Sequence, residues 1–471
     1  MEREKTLAKN TIIIGFGTFL PKVSSIITLP IITGFLTKAE YGTYDLLLTL
    51  ISLVFPLATL QIQTAAFRFL VQIRGKREES SSIITNIVFF TFGCSIIPII
   101  IIFFVLNDYG VFTRTLICLY FLFDIILQTF MQIARGLGKN ALYSSSTVLN
   151  SAVNMVLVYF FLKICNLGLE GVIGAITVSN LFALLFLFYK TNMAKYISRK
   201  MISVSITKQM IAYSLPLIPN NLSSWIMTLS DRLLLSLFLG VEVNAVYAVA
   251  KKIPNLLTVV QSTFSLAWQE NASLSAADSD IDNYYSQMFN LVFNLVIGAC
   301  SVLIGVSPLL FKLLVRGSYI EAYYQMPILF IALTFTTLSS YLAGIYIADK
   351  RTKEIGITTT ISAAINLLID LLLIPAIGMW AASLSTLIGF FFLFVYRLID
   401  LKKYHKLAID YMHIILCIGM LVVFSVISFF NNTICNLFLF VIGMVVFFWL
   451  NGKKFYMIYK SLLNNKSKLN W

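Results

Sequence analysis

Eight charged side chains lie inside long apolar stretches of this 471-residue sequence. On insertion scales a charge at bilayer depth costs about 2.5–3.5 kcal/mol, so such residues normally face a bundle interior or a watery cavity. Five of them are cations and three are carboxylates, and the two excess positive charges favour an anionic ligand. The predicted ligand-binding cations are Lys22, Arg68, Arg232, Lys251 and Lys252, and the carboxylates are Asp124, Asp231 and Asp370.

Uncharged polar residues recur at helical spacing beside these charges. Asp124, Gln128, Gln132 and Arg135 fall within ~80° of one another on a helical wheel, which predicts one polar stripe. One alternative is ordinary hydrogen bonding between packed helices, and another, for Arg68, Arg135 and Lys190, is a side chain that reaches to the membrane surface. Structural ion pairs are the alternative for the other charged residues, which are Lys22, Arg232, Lys251, Lys252, Asp124 and Asp370. The polar residues predicted to line the cavity or to couple transport to an ion are Asp124, Gln128, Asn154, Asn220, Asp231, Asn255, Asn366 and Asp370.

Composition indicates the kind of element that must position these residues. Hydrophobic residues make up 59% of the chain and charged residues 12%, against about 25% charged in soluble domains. A helix needs ~20 apolar residues to cross a membrane, and fourteen such segments can be counted. The sequence therefore predicts an all-α polytopic membrane protein, with segments centred near residues 23, 57, 95, 125, 153, 180, 225, 257, 298, 337, 366, 389, 421 and 443.

The net charge of +14 is distributed like that of a membrane protein rather than a nucleic-acid-binding one. With loops assigned alternately, 25 of the 35 Lys and Arg residues fall on the inner side and 5 on the outer side. This distribution follows the positive-inside rule and predicts that both termini are cytoplasmic. The predicted inner basic loops are Arg74–Arg77, Lys190–Lys208, Lys350–Lys353, Arg397–Lys406 and the tail Lys453–Lys468.

Weak internal matches suggest a duplicated chain. Phe35, Leu36 and Tyr44 match Phe238, Leu239 and Tyr247 at an offset of 203, and Asn154 matches Asn366 at an offset of 212. Transporters are commonly built from related halves. We therefore expect two lobes of six segments each, residues 1–209 and 210–400, followed by two appended segments and a basic tail in residues 401–471.

Prolines and catalytic motifs complete the sequence-based expectations. Prolines within the segments are expected to break helices at membrane depth, as a moving bundle would require; they are Pro21, Pro30, Pro56, Pro216, Pro219 and Pro254. The only histidines, His405 and His413, lie far in sequence from any pair of carboxylates. We predict no enzyme activity, no metal and no cofactor, because no catalytic motif occurs.

Several segments resemble the polysaccharide-biosynthesis membrane proteins, the Wzx-type flippases of the multidrug/oligosaccharidyl-lipid/polysaccharide (MOP) superfamily. They are KNTIIIGFGTFLPKVSSIITLPIITGFLTKAEYGTYDLL, RGLGKNALY, SLPLIPNN with the following SDR, and YAVAKKIPNLL with AWQE. The resemblance implies a V-shaped pair of six-helix lobes, like that of the MATE transporters, around a central cavity. It also implies alternating-access transport of an undecaprenyl-diphosphate-linked oligosaccharide across a bacterial inner membrane.

The resemblance gives the cations a ligand, because a diphosphate would use them, and it leaves H⁺ or Na⁺ open as coupling ion. O-antigen of lipopolysaccharide, capsule and exopolysaccharide are all possible products, and a polysaccharide polymerase is a possible partner. A MATE-like multidrug antiporter shares the implied fold, but exporters of cationic drugs are expected to keep a carboxylate in the first helix, where this chain has Lys22. A membrane-embedded glycan polymerase or glycosyltransferase is the alternative from another class. It would need a large outer loop. The longest one, Leu313–Gln325, contains only two charged residues, Arg316 and Glu321, and Lys312 directly precedes it.

Overall fold

The computed structural model describes residues 2–275 and 280–467, and this part of the chain is almost entirely helical. Lys468, the remaining side chains of the predicted basic tail from Lys453, and residues 276–279 lie outside the description. The helices are α1 (Glu2–Phe35), α2 (Lys38–Thr59), α3 (Ile62–Gln72), α4 (Arg77–Val105), α5 (Val111–Gly136), α6 (Asn140–Tyr159), α7 (Gly168–Thr191), α8 (Val204–Ser214), α9 (Ile218–Leu239), α10 (Val241–Lys252), α11 (Leu257–Ser275), α12 (Ile281–Leu314), α13 (Ile320–Ala348), α14 (Thr352–Ile377), α15 (Met379–Leu401), α16 (Tyr411–Ser428) and α17 (Thr433–Ser467).

Long apolar helices confirm the predicted fold class. Within the described residues, 12 helical segments are long and apolar enough to cross a membrane. They coincide with twelve of the fourteen predicted segments. The other two are helical as well: the first is α1, with an apolar part at Phe19–Phe35, and the eighth is divided between α10 and α11.

Packing divides the chain into two compact units. The first consists of Met1–Ala248 with Leu314–Gly317, and the second of Val249–Leu313 with Ser318–Trp471. In the first unit α3, α4, α5 and α7 share a core that includes Ile62, Ile84 and Ile133. In the second unit aromatic rings fill the interior, and Trp268 stacks on Tyr341 at 4.6 Å. The lobes predicted from the repeat, 1–209 and 210–400, stay a prediction.

The second predicted segment is two helices rather than one. α2 ends at Thr59, and the next two residues, Leu60 (φ 47°) and Gln61 (φ 56°), are left-handed before α3 begins. Non-glycine residues adopt this region only at a cost, about 1–3 kcal/mol each, unless the surroundings hold them there. Here the hydroxyl of Ser214 in α8 donates to the carbonyl of Leu60 at 2.7 Å, and Gln61 is buried.

The expectation about prolines is only half right. Pro21 and Pro30 lie within the continuous α1, and Pro56 lies within α2. The other three do mark helix breaks. Pro216 and Pro219 lie where a 3₁₀ turn joins α8 to α9, and Pro254 begins the turn between α10 and α11. A proline near a helix start loses nothing, because the N–H it lacks would have no partner there.

Candidate functional site

A buried ion pair joins α2 to α9 inside the first unit. Nη1 of Arg232 lies 2.8 Å from Oδ1 of Asp45, and the two side chains are 14% and 7% exposed. Asn244 of α10 donates to the other carboxylate oxygen of Asp45 at 3.4 Å and to the carbonyl of Gly42 at 3.2 Å. Because both charges are withdrawn from water, each depends on the other for compensation.

Gly42 allows the helices to approach closely enough for these bonds. A Cβ atom built on Gly42 would lie 1.8 Å from the carbonyl oxygen of Val241, the first residue of α10. No side chain fits in that space, so the contact requires glycine. α2 therefore packs against the beginning of α10 as well as against α9.

A second carboxylate, that of Asp231, directly precedes Arg232 in α9. Asp231 accepts a hydrogen bond from the hydroxyl of Tyr247 at 2.7 Å and from the backbone N–H of Arg232 at 2.9 Å. Within the described part of the chain, Nε of Arg232 is buried and no atom accepts a hydrogen bond from it. We call Asp45, Asp231, Arg232, Asn244 and Tyr247 the Asp45 cluster.

Two members of the Asp45 cluster, Asp231 and Arg232, were predicted as site residues, whereas Asp45 was not. Asp45 stands in the run EYGTYDLL, which carries the family resemblance, and it directly precedes the apolar run LLLTLISLVF. That was the signal that could have identified it. Its partner lies 187 residues away in the chain, and no spacing rule connects the two.

Asp124 belongs to a hydrogen-bond network across three helices of the first unit. Its carboxylate accepts from Nδ2 of Asn180 in α7 at 3.4 Å, and Oδ1 of Asn180 accepts from Asn150 in α6 at 2.7 Å. Gln128, one turn further along α5, is partly buried. Arg135, at the end of the predicted stripe, makes a different contact: its guanidinium stacks over the ring of Phe67 at 4.8 Å.

The matching polar pair in the second unit lies on α14. Asn366 and Asp370 are 1% and 0% exposed, and Ser385 of α15 donates to the Asp370 carboxylate. In the described part of the chain, Nδ2 of Asn366 has no hydrogen-bond partner, and neither has Oδ1 of Asn154, its counterpart in the proposed repeat. Buried amide atoms without a hydrogen-bond partner are uncommon in folded proteins.

The remaining predicted residues are spread over both units. In the first unit, Lys22 is partly buried on α1, and Arg68 on α3 and Asn220 on α9 are exposed. In the second unit, Lys251 is buried and Lys252 partly buried at the end of α10, whereas Asn255 in the following turn is exposed. Each therefore has its own surroundings, and their joint binding of a ligand stays a prediction.

His405 contradicts the expectation that no carboxylate pair lies near a histidine. Its Nδ1 is 2.7 Å from Asp282 at the start of α12, and its Nε2 is 2.9 Å from Asp349 at the end of α13. The backbone N–H of Lys406 donates to Asp282 as well, at 2.9 Å. Three connections of the second unit are joined at this ring, although their residues are widely separated in sequence.

Arg397 also differs from its expected place in a basic loop. It lies within α15 and is 4% exposed. Its guanidinium donates to the carbonyl of Ser339 at 2.9 Å and to the hydroxyls of Thr358 and Thr359 at 3.1 and 2.9 Å. The arginine thus connects α13, α14 and α15, and the exposed basic stretch begins only at Lys402.

The groups around Asp45, Asp124 and Asp370 place partly or fully buried charged side chains among amides and hydroxyls, on helices that are otherwise apolar. Such residues in membrane helices commonly mark the route of a substrate or an ion.

Comparison with known proteins supports the family resemblance. The family model described as "Polysaccharide biosynthesis protein" matches residues 7–269. No curated protein matches the sequence.

Solved structures share the fold at low sequence identity. The lipid II flippase MurJ, in an inward closed conformation, is 14% identical with a TM-score of 0.70, over 97% of this chain and 100% of MurJ. An inward-facing multidrug resistance MATE transporter of the MOP superfamily is 13% identical with a TM-score of 0.69, over 83% and 98%. A MOP superfamily transporter from Pyrococcus furiosus, described as having a binding pocket of reverse polarity, is 14% identical with a TM-score of 0.61, over 84% and 96%.

Proposed function

Because the chain belongs to the polysaccharide biosynthesis protein family, we propose that it is a flippase for undecaprenyl-diphosphate-linked oligosaccharides. It would move the repeat units of an O-antigen, capsule or exopolysaccharide across the cytoplasmic membrane of a bacterium by alternating access. Both termini would be cytoplasmic, and a polysaccharide polymerase would receive the product.

The extent of the fold match carries this proposal. The alignment with the lipid II flippase covers 97% of the chain, whereas that with the multidrug transporter covers 83%. A flippase for one lipid-linked saccharide therefore accounts for more of the molecule than a drug exporter does. Lys22 in the first helix supports the same choice, since a cation there opposes binding of cationic drugs.

The five predicted cations are the proposed ligands of the diphosphate. Lysine and arginine both bind phosphate, lysine as a compact point charge and arginine as a planar fork. Arg232 has a further constraint, because Asp45 already occupies its Nη1. We propose that Arg232 exchanges Asp45 for the diphosphate during the transport cycle, and that its buried Nε takes part in the second state.

The Asp45 cluster also suits a contact that opens and closes. It joins α2 of the predicted first lobe to α9 and α10, which both lie within the predicted second lobe. Alternating access requires such contacts to break in one half of the cycle. An ion pair that is intact in one state of the cycle and broken in the other would give the protein two distinct arrangements.

Asp124 and Asp370 are the proposed coupling residues. Each is a carboxylate within a hydrogen-bonded polar group of a membrane helix, and each could bind H⁺ or Na⁺. In purified protein reconstituted into vesicles, Asp124→Asn or Asp370→Asn should retain binding of the lipid-linked substrate and lose movement driven by the ion gradient. If both variants keep the ion dependence of the wild type, neither residue couples transport.

The test of the flippase proposal is complementation of a flippase-null strain, scored by surface glycan with membrane expression measured in parallel. The wild-type gene should restore glycan. Lys251→Glu should fail, because repulsion is added to the lost contact, and Lys251→Arg should succeed. Lys403→Glu is the matched control, since Lys403 is an exposed cation in the turn after α15.

Two results would reject the proposal. One is loss of a fluorescent cationic drug from loaded cells, without any restored glycan, which would indicate the antiporter. The other is full complementation by glutamate at all five cation positions, with normal expression, which would reject cationic binding of the diphosphate.

A further inference from the structure

The connection between α7 and α8 is a basic segment with a fixed conformation. We call residues 190–208, which are this connection together with the end of α7 and the beginning of α8, the basic connector. It contains two short 3₁₀ turns, Met193–Lys195 and Arg199–Met201, and the side chain of Met193 is fully buried. A connection of this length without packing would be mobile, so its order needs a cause.

Polar side chains of α4 hold the basic connector in place. Thr85 donates to the carbonyl of Tyr196 at 3.0 Å and accepts from the backbone N–H of Ser198 at 3.1 Å. Asn86 donates to the carbonyl of Met201 at 2.9 Å and accepts from the N–H of Ser203 at 2.7 Å. Bonds of this kind use the backbone of the connector and leave its long side chains free to face outward.

All five cations of the basic connector are exposed; they are Lys190, Lys195, Arg199, Lys200 and Lys208. No Asp or Glu occurs between Glu170 and Asp231. None of the five makes an ion pair with any residue that the structure describes. The start of the supporting helix is neutral overall, because Lys76 and Arg77 balance two glutamates there, and one of these, Glu79, bonds to Lys76 at 2.8 Å.

In the connection between α15 and α16, by contrast, cationic side chains have partners within the protein. There Lys403 bonds to Asp400 at 2.9 Å, and the ammonium of Lys402 lies 4.5 Å from the ring centre of Tyr411. His405 bridges two carboxylates. The basic connector has none of these partners, so its charges are left for an anion outside the protein.

Exposed apolar side chains lie among these cations. Val204 is 82% exposed, Tyr189 71% and Ile202 50%. Cations interleaved with exposed apolar groups, next to membrane helices, suit the boundary between lipid headgroups and acyl chains. Clusters of four to eight Lys and Arg residues beside a membrane helix bind anionic lipids.

We propose that the basic connector is a docking surface for anionic phospholipids of the membrane. The lipid phosphates would contact Lys195, Arg199 and Lys200, and the acyl chains would cover Ile202 and Val204. Bulk phospholipid fits better than a single transported molecule, because the five exposed cations are spread over residues 190–208 of the chain. On the predicted topology, this surface lies at the inner leaflet.

The test uses the full-length protein in a neutral detergent, titrated with dioctanoyl phosphatidylglycerol or dioctanoyl phosphatidylcholine and followed by native mass spectrometry. Each cation near an anionic surface is worth about fivefold in affinity. The variant Lys195→Gln/Arg199→Gln/Lys200→Gln should therefore bind phosphatidylglycerol at least ~10-fold more weakly. The matched control, Lys402→Gln/Lys403→Gln/Lys406→Gln, removes the same charge from the other connection and should bind within about twofold of wild type.

A salt titration of the unmodified protein provides a measurement that does not depend on the folding of a variant. Binding of phosphatidylglycerol should weaken steeply as NaCl rises from low to high concentration, because exposed charges are screened. The proposal is overturned if phosphatidylcholine binds as tightly as phosphatidylglycerol, or if the connector variant and the control variant bind equally. Displacement of the lipid by micromolar inorganic diphosphate would also overturn it, in favour of a soluble anion.

Discussion

At the scale of single residues, Asp45 and Arg232 each determine how much the loss of the other destabilises the folded protein. Removing one partner of a buried pair leaves an uncompensated charge and costs about 3–5 kcal/mol, whereas replacing both with apolar residues is often nearly neutral. We therefore expect Asp45→Leu and Arg232→Leu each to lower the melting temperature of the purified protein. The double variant Asp45→Leu/Arg232→Leu should recover most of the loss.

The same double variant separates stability from transport. If the pair must open and close, the double variant should be folded and still fail to restore surface glycan. Equal melting temperatures for the wild type and all three variants would show that the pair contributes nothing to the folded state.

His405 offers a second prediction at this scale. Its two ring nitrogens contact two different carboxylates, Nδ1 that of Asp282 and Nε2 that of Asp349. His405→Gln should lower the melting temperature, since its amide cannot reach both acceptors in the same geometry. Asp349→Asn should lower the melting temperature less in the His405→Gln background than in the wild type, as expected for groups in one network. Strictly additive losses of melting temperature would contradict the bridge.

These residues also show how far sequence could go. Asp370 and Asp124 were predictable because a carboxylate in an apolar helix stands out by itself. The partners of Asp45 and His405 were not, because contacts over 187 and 123 residues are set by helix packing and leave no local pattern. Burial of Arg397 was missed for the same reason, since its acceptors come from two other helices.

At the scale of elements, the approach of α2 to α10 gives a sharp prediction. Gly42→Ala would place a methyl group 1.8 Å from the carbonyl oxygen of Val241, and backbone cannot yield as a flexible side chain can. Purified Gly42→Ala should melt at a lower temperature than wild type. Gly93→Ala on α4 is the matched control, because its Cβ meets nothing within 4 Å and alanine favours a helix.

An unchanged melting temperature for Gly42→Ala would show that the close contact is unimportant. Helix positions, in contrast to such contacts, were largely predictable. Hydropathy alone located the segments, since every backbone group in lipid must be satisfied within a helix. The breaks were less predictable: Pro21 and Pro30 did not end α1, while α2 ends without help from a proline at its end.

At the scale of the whole molecule, the distribution of Lys and Arg predicts orientation. Reporter fusions at Leu106, Ile374 and Asn432 should report an outer location. Fusions at Ser80, Ile206 and the C-terminus should report an inner one. A C-terminal reporter on the outer side would mean an odd number of spans and would reject the topology.

The fold class could be predicted because composition and periodicity act along the whole chain. The contacts between individual helices could not, because they depend on how the helices pack. Contacts such as that between Trp225 and Ser52, at 2.9 Å, have no counterpart in a pattern of hydrophobic residues.

The two left-handed residues between α2 and α3 have a mechanical meaning. A straight membrane helix would act as a lever, so that a push at one end would swing the other. Here α2 packs on α9, α3 packs on α5 and α8, and the chain between them passes through Leu60 and Gln61. Because the helix is interrupted at Leu60 and Gln61, α2 and α3 are separate rods, and a tilt of α2 together with α9 would not have to carry α3 with it.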